Sequence, residues 1–66
     1  MVYQEIDKYL KINGITQAHL ARNTGLSESA VSMALSGKRD IDVEEYIRIC
    51  VALNVPISTF IPKAAR

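Results

Sequence analysis

Cysteine and histidine each occur once in these 66 residues, and tryptophan does not occur at all. A lone Cys50 excludes an intrachain disulfide and a thiolate metal cluster, and it fits a reducing, cytoplasmic setting. A lone His19 has no companion ligands at suitable spacing, so it reads as a solvated surface imidazole rather than part of a metal site. Nothing resembles a Gly-rich phosphate loop, a nucleophile elbow, a linker or an internal repeat. No run approaches the roughly 18 apolar residues of a membrane span. The opening Met-Val-Tyr-Gln-Glu lacks the basic-then-apolar layout of a secretion signal. Charge of one sign is also lacking, with eight Lys+Arg against seven Asp+Glu and a net charge of +1. That balance argues against non-specific nucleic-acid binding as the main activity, because such binding runs on phosphate neutralisation, but it does not exclude a site-specific reader, which needs only a local patch. The acidic cluster Asp40, Asp42, Glu44 and Glu45 suits a helix start, where the dipole favours negative charge, better than a cation site. It lies beside Lys38 and Arg39 and can orient them. No enzyme, cofactor, metal or small-molecule ligand is expected.

Apolar residues make up 48% and charged residues 23%, the balance of an ordinary globular chain. One small domain is the limit. Such a domain buries only ~60% of its unfolded surface, so further burial, for example in a dimer, would stabilise it. Period-two alternation never persists, whereas helical spacing recurs. Ile6 and Leu10, with Val2 and Tyr9 beside them, give a helix over about Val2 to Asn13, stopped by Asn13-Gly14. Thr16 is an N-cap for a second helix that carries Leu20 and Ala21 inward and ends at Gly25. Ser27 caps a third running to about Ser36, with Val31, Ala34 and Leu35 inward and Gly37 after it. Asp42 and Glu45 form a capping-box start for a fourth, which continues through Tyr46, Ile47, Ile49, Cys50 and Leu53 to about Asn54. A last short turn of helix, about Pro56 to Ile61, offers Ile57, Phe60 and Ile61. The expectation is therefore an all-α domain of five short helices.

The informative stretch is Thr16 to Gly37, TQAHLARNTGLSESAVSMALSG. Two short helices joined by so tight a turn must cross steeply, near the ~90–120° of a helix-turn-helix. The turn needs a residue comfortable at positive φ, and Gly25 supplies it. Ala21 is small enough for the crossing point, and Val31 can wedge in from the third helix. Leu20, Leu26 and Ala34 complete the seam.

The order Gln17-Ala18-x-Leu20-Ala21, Gly25-Leu26-Ser27, Val31-Ser32, Ser36-Gly37-Lys38-Arg39 resembles phage Cro/cI-type, XRE-family repressors. The later Ile49-x-x-Ala52-Leu53-Asn54-Val55 and Phe60 are similar to the family's fourth and fifth helices. The likeness covers roughly Ile6 to Ile61. It implies a lambda-repressor-like domain whose second and third helices, about residues 17–36, bind double-stranded operator DNA. A third helix of this kind fits the ~12 Å major groove by its N-terminal end. The resemblance puts base contacts at Glu28, Ser29 and Met33, with Ser27 and Ser32 close by. Glu28 can accept from cytosine N4, and Met33 can pack on a thymine methyl. Equally, Glu28 is a favourable charge in a first helical turn, and methionine is a common core filler.

Phosphate anchoring would fall to the N–H groups at Thr16 and Gln17, the latter matching the family's phosphate-contacting glutamine, and to Ser36, Lys38 and Arg39. The bland readings are that Gln17 is an ordinary helix residue and Lys38-Arg39 a solvated turn. With so few cations in reach, a shallow salt dependence is expected. The likeness implies a repressor that occupies a pseudo-palindromic operator as a homodimer, paired through Val55, Ile57, Phe60 and Ile61, some of which close the core instead. These 66 residues leave no room for a ligand-sensing domain, so control is expected through concentration, dimerisation or an antirepressor protein. The rival reading is a protein-interaction adaptor or antitoxin-like module on the same fold, suggested by the low net charge and Glu28.

Overall fold

Four helices form in this computed structural model, which describes residues 2–61: α1 (Val2–Asn13), α2 (Gln17–Thr24), α3 (Glu28–Leu35) and α4 (Val43–Leu53). Among the described residues there is no strand. Local chemistry sets the helix starts. Thr16 Oγ1 accepts the His19 N–H at 3.0 Å, and Ser27 Oγ accepts that of Ala30 at 3.0 Å. Asp42 Oδ1 takes the Glu45 N–H at 2.8 Å while Asp42 N–H donates back to Glu45 Oε1 at 3.4 Å, which completes the capping box. Each of these side chains satisfies a donor that the helix itself leaves open.

The stops are equally local. Gly25 sits at φ +77° and its N–H reaches Ala21 O at 3.0 Å, so the α2–α3 turn is as tight as its sequence requires. Ser36, expected as the last helical residue of α3, is its cap, and a paired closure follows. Lys38 N–H bonds Met33 O at 3.0 Å, and Gly37 N–H bonds Ala34 O at 3.3 Å, the Schellman pattern. α4 ends alike, Val55 to Cys50 and Asn54 to Val51, each at 3.0 Å. There the left-handed residue is Asn54 at φ +58°, a side chain that tolerates this region better than most.

α2 lies at the centre, packing on both α3 and α4, while α1 packs on α3. Ile6, Leu10, Leu20, Ala21, Val31, Leu35, Ile49, Cys50 and Phe60 form one buried cluster. Ala21 and Val31, 3% and 2% exposed, belong to this cluster where α2 packs on α3. Thr24 is buried beside them. Its hydroxyl donates to Leu20 O at 2.8 Å and accepts the Leu26 N–H at 3.4 Å, so the turn buries no unpaired hydroxyl.

The expected fifth helix is not one. Residues 56–61 make separate turns closed by Thr59 N–H to Pro56 O (3.0 Å) and Ile61 N–H to Ser58 O (3.3 Å). Ile57, Phe60 and Ile61 imitate helical spacing, but six residues cannot repay helix nucleation. The segment is held by tertiary contacts instead. Phe60 is 4% exposed and meets the rings of Tyr9 and Tyr46 edge-on at 5.6 and 6.4 Å, and Tyr46 Oη donates a hydrogen bond to Ile57 O of the same segment. Pro62 lies outside the described residues. No helix among those described is long and apolar enough to cross a membrane.

Candidate functional site

α3 divides cleanly into two faces. Val31, Ala34 and Leu35 are buried at 2–5% exposure, which turns Glu28, Ser29, Ser32 and Met33 outward. Met33, 43% exposed, is a surface residue and not a core filler. Glu28 stands exposed in the first turn, so its carboxylate both faces solvent and complements the positive end of the helix. Ser27 is exposed, but its Oγ already accepts the Ala30 N–H, which leaves its hydroxyl proton as the group it can offer outward. The outcome is a short ridge of one carboxylate, three hydroxyls and a thioether, standing on a rigid apolar seam.

Two sets of residues flank that ridge. At the start of α2, the Thr16 cap consumes the His19 N–H and leaves those of Gln17 and Ala18 outside the helix ladder. His19 Nε2 lies 2.9 Å from Asn23 Nδ2 one turn on, an exposed surface pair. After α3, Ser36 is exposed and donates its hydroxyl to Met33 O at 3.2 Å, so a second acceptor would have to compete for that proton. Lys38 is exposed and has no ion pair among the described residues. Arg39 is different. Its Nη1 donates to Glu45 Oε1 at 3.0 Å and its Nη2 to Oε2, a two-pronged pair. The hydrogen bond to Arg39 holds the Glu45 carboxyl below its ordinary range, and the same bond raises the guanidinium further above its own. The expected roles of Lys38 and Arg39 are thus separated by environment, one charge being free and the other engaged.

The remaining expected residues split as well. Phe60 is withdrawn into the core, which removes it from any surface, and Val55 is half-buried. Ile57 and Ile61 stay 55% and 50% exposed. They line an open groove of about 840 Å³ with Val43, Ile47 and Tyr46 of α4, Ile41, and the Val2 and Tyr3 end of α1. Burial on α4 reaches only Ile49 and Cys50, so Ile47, expected in the apolar run of this helix, and Val43, which that run does not include, both stay exposed. Periodicity also missed Lys8 on α1. The fold sets Lys8 and Lys11 along a shallow groove shared with Ser36, and Lys11 pairs with Asp7 at 2.9 Å. Lys8 and Ser36 are far apart in the chain, and only the packing of α1 on α3 brings them to one rim.

The sequence model of the family described as helix-turn-helix matches residues 6–60. No curated protein and no solved structure matches the chain.

Proposed function

The chain belongs to the XRE-type, lambda-repressor-like helix-turn-helix family of DNA-binding regulators, and from that premise we propose that it is a sequence-specific cytoplasmic repressor, phage or prokaryotic, of a pseudo-palindromic operator. The observation that carries the reading is the two-faced α3, whose buried Val31, Ala34 and Leu35 fix an outward row of Glu28, Ser29, Ser32 and Met33. In the major groove, Glu28 accepts from a cytosine amino group. Ser29 and Ser32 donate to or accept from whichever base edge they meet, and Met33 packs on a thymine methyl. Ser27 lies at the tip of the same row. Gln17 and the open N–H groups at the start of α2 take one phosphate, and the segment after α3, with Ser36 and Lys38, takes another. These contacts set register without reading sequence.

Operator occupancy calls for two copies. The molecule measures 32 × 23 × 20 Å and presents one α3, whereas half-sites repeat about 34 Å apart on one face of the duplex. The exposed Ile57 and Ile61, with the half-buried Val55, form the dimer surface in this proposal, and Val43 and Ile47, which line the same groove as the two isoleucines, extend it. Repression then follows from excluding polymerase at the promoter. Control lies in concentration, dimerisation or an antirepressor protein.

Enrichment of a random duplex pool on the purified protein at about physiological salt tests the whole reading. An inverted repeat supports the dimeric reader, and a single half-site refutes the dimer while keeping the reader. A folded protein that enriches nothing refutes both, and favours a protein-binding adaptor or antitoxin-like module.

A further inference from the structure

The loop from α3 to α4 is held at both ends. At the α3 end, Gly37 lies at φ +80°, and the tip of the Tyr3 ring fills the place a side chain there would take: a Cβ on Gly37 would meet Tyr3 Cζ at 2.7 Å and Oη at 2.8 Å. At the α4 end, both terminal nitrogens of Arg39 are committed to the two oxygens of Glu45. That same carboxylate accepts the Asp42 N–H and closes the capping box, so the pair is welded to the first turn of α4. The Glu45 side chain is 12% exposed and the Arg39 side chain 33%. Lys38 lies between these two anchors, with its N–H fixed to Met33 O.

A guanidinium reaches a phosphate best through its planar fork. The Arg39 fork is already matched by a carboxylate of the same two-oxygen geometry, and turning it to DNA would strand Glu45 beside the duplex. We propose that Arg39 is a positioning residue and not a phosphate contact: its fork to Glu45, together with Tyr3 on Gly37, fixes the loop so that Lys38 delivers the charge to the DNA backbone. The inference rests on the DNA-binding reading above, and it divides the expected Lys38-Arg39 clamp into one contact and one strut.

The experiment measures affinity for the enriched duplex over a salt series for the native chain and for Lys38→Gln, Arg39→Gln, Arg39→Lys and Glu45→Gln. Each phosphate contact contributes about −0.9 to the slope of log affinity against log salt. Lys38→Gln is expected to flatten the slope by about that amount. Arg39→Gln and Arg39→Lys weaken binding and leave the slope as it was. Glu45→Gln is the sharpest arm, because it removes a negative charge and on charge alone should tighten binding. Loss of the strut instead weakens it, on the order of tenfold, the scale of one charge-assisted contact. Tighter or unchanged binding by Glu45→Gln overturns the proposal, as does a slope flattened by Arg39→Gln. Should Glu45→Gln fail to fold, Arg39→Lys decides: near-native affinity means a direct contact, and weakened affinity at native slope means a strut. A native chain that binds no duplex fails at the DNA reading itself, an outcome visible before any variant is compared.

Discussion

Gly25 and Gly37 both adopt left-handed backbone, yet the structure assigns different costs to filling them. At Gly25, φ is +77° and a Cβ would meet nothing within 4 Å. Gly25→Ala therefore carries the backbone penalty alone, roughly 1–2 kcal/mol for an L-residue in that region. At Gly37, φ is +80° and the same Cβ would lie 2.7 Å from Tyr3 Cζ. The ring must swing away and surrender its packing, which adds about 1 kcal/mol, the low end of overpacking costs because the ring tip can move. Gly37→Ala should then lose about 2–3 kcal/mol in all, a large share of the roughly 3–10 kcal/mol available to a chain this size. Urea denaturation of both variants, and of Gly37→Ala in a Tyr3→Ala background, checks the reasoning. The background change should bring the Gly37→Ala loss down to that of Gly25→Ala. Equal losses for the two glycines in the native background, or no relief from Tyr3→Ala, would refute it.

Phe60→Ala should cost about 3–5 kcal/mol despite lying outside any helix, because it removes the buried ring that meets both Tyr9 and Tyr46 edge-on; a melting temperature near the native one would contradict that. The Glu45 carboxyl is held below its ordinary value by the Arg39 hydrogen bond, so the stability it lends is complete above the usual carboxylate range and is lost as pH falls through the lowered value. Acid melting curves of the native chain should show this loss, and those of Glu45→Gln should lack it. Glu28→Gln is expected to change which base is preferred at one operator position, and an unaltered preference in the enriched pool removes Glu28 from base reading. Ile57→Asp with Ile47→Asp should convert a dimer to a monomer in sedimentation while the chain still folds, since both side chains are exposed in the single chain, and its melting temperature should no longer rise with protein concentration.

Features encoded within a few residues were legible in the sequence. Thr16, Ser27 and the Asp42/Glu45 box announce helix starts because a cap acts on an N–H within three residues of itself. Ala21, Gly25 and Val31 were legible for a related reason, as the tight turn leaves one way for α2 and α3 to cross. The segment at Ile57–Phe60–Ile61 misled because its apolar spacing is satisfied by one anchored ring rather than by a helix. Tyr3 against Gly37 and Lys8 beside Ser36 were invisible, being products of the α1–α3 packing across the whole chain. The acidic cluster hinted that something would orient Lys38 and Arg39. It did not show that Glu45 would take Arg39 and leave Lys38 free.

The central claim is that the outer face of α3 meets the base edges. Amide chemical-shift mapping of the labelled protein, titrated with its enriched duplex, tests it most directly. The largest changes are expected over residues 27–33, with a second set at 16–18 and 36–38, and little along 43–51 beyond what dimerisation produces. Changes centred on the α4 groove, with residues 27–33 unmoved, would contradict it.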